Sequence, residues 1–317
     1  MSWDNPKAYA VKHKDSKVVA NSRSGGIFTA VSDEILKNNG VVYGCVLTDK
    51  FCATHIKSDC IEDRNRMRGS KYIQSRLGDT FKNVKKDLES GREVLFSGMP
   101  CQVDGLKRYL GKNYRNLFCI DIVCLGVPSE KVWKEYLHWQ EKRNRSIIVK
   151  IEFRDKKRFG WRDHMETLYF ENGKVISSGI FRNLFYRHEI LRPSCYRCPY
   201  KKIMRVGDIT IADYWGIEKA APEFDDNKGV SLLLVNNQIG ESMLKKVESK
   251  LIWKQTKLED SMQPPLRESF SAPMDREQFW IDFLNKSFDY VLKKYDNYGL
   301  LNKIQKFLNK IKRKIGL

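Results

Sequence analysis

Short apolar runs alternate with amphipathic helical segments through the first half of the chain, and this alternation restricts the fold more than any other feature. Ile27, Phe28, Val31, Ile35 and Leu36 recur at helical spacing, Asn38-Asn39-Gly40 closes the helix they predict, and Val41–Leu47 follows as a buried strand. The pair of signals then repeats. A helix over 80–90 stopped by Gly91 precedes a strand over 93–97, and a helix over 103–110 precedes a strand over 117–124. Pro128 and Ser129 open a long helix through Trp133, Tyr136, Leu137 and Trp139, with Ser129 as its cap. Such alternation predicts a mixed α/β fold, a largely parallel central sheet flanked by helices. Beyond it the chain turns strand-rich over 147–154 and 166–177, where Asn172-Gly173 marks a tight hairpin, and again over 208–215 and 230–236. We expect one α/β domain over residues 1–255 carrying the functional site, a helical extension over 256–297 and a basic amphipathic tail over 298–317.

Charge narrows the partners. Lysine and arginine number 58 against 39 acidic residues, a net +19, which suits an anionic partner. The aromatics do not interleave with basic runs in an RNA-binding pattern, so nucleic acid is not expected. No apolar run approaches the length that crosses a bilayer, and Met1-Ser-Trp-Asp-Asn-Pro-Lys lacks the apolar core of a secretion signal, so a cytoplasmic location is expected. In the tail, Leu300, Leu301, Ile304, Phe307, Leu308, Ile311 and Ile315 share one helical face, with lysines and Arg313 on the rest. Such a helix suits the anionic inner face of a membrane, or docking on this protein's own core or a partner.

Eight cysteines are many for a chain in a reducing compartment, where close-set thiols read as metal ligands or redox groups. Cys45, Cys52, Cys60 and Cys119 lie in apolar or mixed stretches and read as small buried hydrophobes. Ser194-Cys195-Tyr196-Arg197-Cys198-Pro199 is different: its C-x-x-C spacing followed by proline fits a ferredoxin-type cluster loop, a zinc knuckle or a redox dithiol. A cluster or structural zinc needs four ligands. Cys101 follows the strand over 93–97 and Cys124 ends that over 117–124, so both should project from the carboxyl ends of neighbouring strands, the edge where open α/β sheets gather ligands. No Ser-His-Asp arrangement, H-E-x-x-H or P-loop competes with this set. The five histidines show no ligand spacing, and only His164, near Gly160-Trp161, is a candidate proton donor.

Six segments then agree in order: SRSGGIF at 22–28, RGSKYIQS at 68–75, LFSGMPCQVDGLK at 95–107, DIVCLGVPS at 121–129, SCYRCPY at 194–200 and GDITIADYWGI at 207–217. Over most of residues 8–270 the chain resembles the catalytic region of the coenzyme F420 hydrogenase/dehydrogenase beta-subunit family. The resemblance implies FAD and a 4Fe-4S cluster, with Cys101, Cys124, Cys195 and Cys198 as the metal ligands. It matches Ser24-Gly25-Gly26 to a glycine turn at a helix start, where free N–H groups suit a cofactor pyrophosphate. It places Gly69, Ser70, Lys71, Tyr72 and Ser75 in the flavin pocket, and Asp213 and Trp215 in an aspartate–aromatic–tryptophan box. Two features depart from the pattern. No cysteine-rich region precedes Ser22, so the expected electron partner is a separate ferredoxin or reductase, and Leu125 stands where many relatives have histidine. The implied function is an oxidoreductase passing electrons between the cluster and FAD and acting on a small-molecule substrate, as in bacterial relatives encoded beside surface-polysaccharide enzymes. A zinc-containing basic binding protein, or a scaffold-like relative without turnover, is the alternative.

Overall fold

The computed structural model describes residues 3–296. The tail over 298–317 therefore lies outside the described residues. Twelve strands are described: β1 (Lys7–His13), β2 (Val41–Leu47), β3 (Ala53–Ser58), β4 (Ser75–Arg76), β5 (Val94–Gly98), β6 (Leu117–Ile122), β7 (Ile148–Glu152), β8 (Glu166–Phe170), β9 (Val175–Ser178), β10 (Ile209–Asp213), β11 (Ser231–Val235) and β12 (Leu251–Thr256). Nine of them form one sheet in the order β12-β1-β11-β10-β6-β5-β2-β3-β4, while β7, β8 and β9 form a second, antiparallel sheet.

The expected parallel block is the middle of the large sheet. β10, β6, β5 and β2 run parallel as neighbours, with Phe96 opposite Cys119 and Gly98 opposite Asp121. Antiparallel strands extend it on both sides: β11, β1 and β12 beyond β10, and β3 beyond β2. Helices cover both faces, which is why the central strands read as continuous apolar runs. On one face Ala30, Val31 and Ile35 of the helix Ile27–Lys37, with Met243 and Leu244 of the helix Gln238–Val247, pack on Val42, Leu95, Ile120 and Leu233. On the other, Val84 and Leu88 of the helix Thr80–Glu89 and Val103, Leu106 and Leu110 of the helix Pro100–Leu110 pack on Val41, Tyr43, Phe96 and Cys119.

A third cluster joins the small sheet to the helices around it. Trp133, Tyr136 and Leu137 of the helix Glu130–Asn144 meet Ile148, Leu168 and Phe170 of the small sheet, Phe181 and Leu184, and Phe279, Val291 and Leu292 of the two C-terminal helices, Arg276–Asn285 and Phe288–Tyr295. Ser129 caps the helix as the sequence predicts, its side chain accepting from Lys131 N at 3.2 Å. No helix among the described residues is long and apolar enough to cross a membrane.

Candidate functional site

The parallel strands β5 and β6 deliver two of the four singled-out cysteines. Pro100 starts a helix directly after β5, Gln102 Oε1 accepting from Met99 N at 3.0 Å, so Cys101 sits in the first helical turn. Next to it, β6 stops at Ile122 and Cys124 lies two residues beyond the strand. Cys195 and Cys198 come from the 3-10 turn Pro193–Arg197 and the residue after it. All four line one small cavity of about 30 Å³, together with Gly126, Val127, Tyr200, Lys201, Arg205 and Pro265. Cys195 Sγ accepts a hydrogen bond from Val127 N at 3.4 Å. The other cysteines are elsewhere, and of the four expected to be buried only Cys119, within β6, is: Cys45 and Cys52 are half-buried, Cys60 is exposed, and Cys45 lines the larger cavity below.

The thiols crowd one another. Burial pushes Cys124 up to about 12, and Cys101, Cys195 and Cys198 add to the rise because a thiolate at any of them would repel a second. Cys101 is raised by burial and by Cys198 and Cys195 in the same way. Four thiols lining one small cavity are suited to a shared cationic centre, which metal ligation supplies. Among the described residues, no three His, Cys, Asp or Glu side chains converge closely enough for a single ion.

A second cavity, of about 440 Å³, falls within the range of cofactor and ligand sites. Seven of the eight sequence-predicted cofactor residues line it: Ser24, Gly26, Gly69, Ser70, Lys71, Tyr72 and Ser75. Gly25 does not, because it is pressed against the sheet. A Cβ there would meet Val11 O at 2.1 Å and Ser231 N at 2.7 Å, while Gly25 N donates to Ser231 Oγ at 2.9 Å and Ser24 Oγ to Val230 O at 2.5 Å. Gly26, at φ +94°, opens the helix Ile27–Lys37 without a side-chain cap, and Gly26, Ile27 and Phe28 present that helix start, with its free N–H groups, to the cavity.

Several of these side chains are already engaged. Lys71 Nζ donates to the carbonyls of Arg66, Met67, Arg68 and Gly69 at 2.8–3.2 Å, so it fastens its own loop. His55 Nε2 lies 3.1 Å from the Ser97 carbonyl, which can only accept; Nε2 therefore carries the proton, and Nδ1 accepts from Ser75 Oγ at 2.6 Å. Burial lowers His55 to about 4, keeping it neutral.

The cationic groups come mainly from outside the predicted set. Arg154 Nη1 lies 2.5 Å and Arg23 Nε 3.5 Å from Asp213 Oδ2, and Trp161 Nε1 donates to Asp213 Oδ1 at 2.8 Å. The two guanidiniums hold Asp213 below the usual carboxylate range against the opposing effect of burial. Trp215 stacks on Trp161 at 5.1 Å and lies beneath Arg154, so Asp213 and Trp215 are both walls of the cavity. The Nε atoms of Arg23, Arg68 and Arg154 are buried with no hydrogen-bond partner among the described residues. One carboxylate among these arginines leaves the wall positive, which suits an anionic ligand. Arg154 and His55 were missed because a lone arginine after a strand, or a lone histidine within one, carries no motif.

His164 is buried and neutral: desolvation lowers it to about 2, with Arg154, Arg23 and Arg182 acting in the same direction. Its Nδ1 lies 3.0 Å from Tyr186 Oη and its ring packs on Tyr72 at 4.7 Å, and both tyrosines line the cavity, so His164 stands behind that wall. Leu125 also lines the cavity. Cys124, Gly126, Val127 and Pro265 border both cavities and form the wall between them.

Residues 91–261 match a family described as the C-terminal region of the beta subunit of coenzyme F420 hydrogenase/dehydrogenase. No curated protein matches the chain. Among solved structures, the chain is similar to one from the xenon-derivatized F420-reducing NiFe hydrogenase complex of Methanosarcina barkeri. The TM-score is 0.56 at 18% identity, over 79% of this chain and 82% of that one, a likeness of fold.

Proposed function

The chain belongs to the coenzyme F420 hydrogenase/dehydrogenase beta-subunit family, and from that membership we propose an oxidoreductase subunit in which Cys101, Cys124, Cys195 and Cys198 hold a 4Fe-4S cluster and the larger cavity holds FAD. The observation that carries the reading is the common wall: Cys124 borders both the cysteine cavity and the arginine-lined cavity. When bound, the two groups supply one-electron exchange on one side and two-electron chemistry on a small-molecule substrate on the other.

The chain's own residues would bind and orient. The start of the helix Ile27–Lys37, with Arg68, offers N–H donors to a pyrophosphate. Trp215, packed against Trp161 and Arg154, supplies an aromatic wall. Leu125, Val127 and Pro265 keep the region around Cys124 apolar and limit water there. Cys101 is exposed and is the point where an electron carrier could approach most closely. The similar solved chain belongs to a complex, which supports a protein electron partner, here a separate ferredoxin or reductase.

Anaerobic titration with dithionite tests this. The protein should take up about three electrons per chain, two for FAD and one for the cluster. Uptake of no more than about two, with flavin absorbance alone changing, would remove the cluster from the account.

A further inference from the structure

We propose that Lys201 sets the reduction potential of the cysteine-held centre, as its uncompensated positive charge and as an N–H donor to its sulfurs; the inference rests on the cluster reading above. Lys201 follows Cys198 by three residues, lines the cysteine cavity and is only 6% exposed. Its Nζ is buried with no hydrogen-bond partner among the described residues, and lies 4.1 Å from the centroid of the Phe270 ring. Burying a lone ammonium is costly unless an anion shares the site.

The second cation of this cavity is spent. Arg205 pairs with Asp121 at 2.7 Å, both side chains buried, and it also donates to the carbonyls of Tyr200 and Lys202. No carboxylate pairs with Lys201 among the described residues. Burial holds Lys201 below the ordinary lysine value, and the groups that face its charge and oppose that lowering are Cys124, Cys198 and Cys195. The cavity thus holds a cation whose natural counter-ion is the ligated centre itself.

A cluster ligated by four thiolates is anionic, and one-electron reduction adds one more negative charge. A fixed ammonium beside it stabilises the reduced form more than the oxidised form and raises the potential. The Val127 N–H directed at Cys195 Sγ acts in the same direction.

The test uses the full chain purified anaerobically, as wild type, Lys201→Met and Lys201→Arg, with iron and sulfide measured before EPR-monitored redox titration. Lys201→Met puts an uncharged side chain of similar length beside the Phe270 ring, so the cluster should remain and its midpoint potential should move to a more negative value. Lys201→Arg restores the charge and should return the potential toward that of wild type. A Lys201→Met protein with full iron and an unchanged potential overturns the proposal, leaving Lys201 a packing residue. Should Lys201→Met not fold, Lys201→Gln takes its place, and equal potentials for Lys201→Gln and Lys201→Arg overturn the proposal equally. Wild-type protein without iron and sulfide instead removes the cluster reading, a failure distinct from that of Lys201.

Discussion

Arg205 Nη2 lies 2.7 Å from Asp121 Oδ1 with both side chains buried, and Asp121 Oδ2 accepts from Val206 N and Gly207 N at 3.2 and 2.8 Å. One carboxylate therefore ties the end of β6, from which the chain runs to Cys124, to the segment that follows Cys195 and Cys198. Asp121→Ala strands the guanidinium in the interior, and breaking such a buried pair costs about 3–5 kcal/mol. Chemical denaturation should show that loss together with reduced iron content, because centre and fold are coupled. A variant with wild-type stability and full iron would mean that the pair does not hold the loops together.

Gly25 and Arg68 should behave in opposite ways. The Gly25 Cα faces the Val11 carbonyl with no room for a Cβ. Gly25→Val must displace sheet backbone, at no less than the ~1–3 kcal/mol typical of overpacking. Yield, flavin and iron should fall together. Selective loss of flavin from a well-folded Gly25→Val protein would place the turn in the cofactor site after all.

Arg68→Gln removes one cationic donor from the cavity wall and leaves the cysteine cavity untouched. Losing a charge-assisted hydrogen bond of about 1.5–3 kcal/mol should weaken flavin retention by roughly 10- to 100-fold. Equilibrium dialysis against FAD measures it, with iron unchanged as the control. Undiminished flavin affinity would remove Arg68 from the binding site.

How much of this was legible in the sequence depended on the range of the signal. The helix Ile27–Lys37, β2 and the Ser129 cap follow from local periodicity and capping, and Cys101 and Cys124 follow from strand ends that parallel pairing brings together. β1 and β12 carry weak apolar patterns, because β1 mixes alanines with lysines and most of β12 is exposed; their place comes from pairing with distant strands. The glycine turn is legible in the sequence, but the division of labour within it is not. That Gly25 packs on Val11 while Gly26 opens on the cavity is a tertiary fact. Arg154, Lys201 and the Asp121–Arg205 pair are likewise long-range, and no spacing in the chain encodes them.

Stability should depend on pH through Glu166. It is fully buried on β8, with neither carboxyl oxygen hydrogen-bonded among the described residues, and burial raises it from 4.5 to about 8. His164 Nε2, at 4.0 Å, is too far to bond it. Between pH 4.5 and about 8 the unfolded chain has lost this proton while the folded chain keeps it. Stability from this group is therefore full below 4.5 and falls as pH rises, at up to about 1.4 kcal/mol per pH unit. Glu166→Gln should flatten that part of the thermal-stability profile and be the more stable protein near pH 8. Parallel profiles for the two proteins would show that Glu166 ionises freely in the fold.

The basic tail allows a separate test. The sequence over 298–317 mixes apolar residues with lysines and Arg313, each basic residue adding about 1 kcal/mol near an anionic surface. The full chain should co-sediment with anionic liposomes, less so at high salt, and truncation after Asn297 should abolish binding while leaving iron and flavin in place. Equal sedimentation of the truncated chain would contradict membrane binding by the tail.

The most direct test of the account is the metal and cofactor content of the chain purified without oxygen, measured alongside Cys124→Ser. The chain should be brown, with ~4 iron, ~4 sulfide and about one FAD, and Cys124→Ser should be depleted of iron. A colourless wild-type protein holding about one zinc, or a Cys124→Ser protein with full iron, would contradict it.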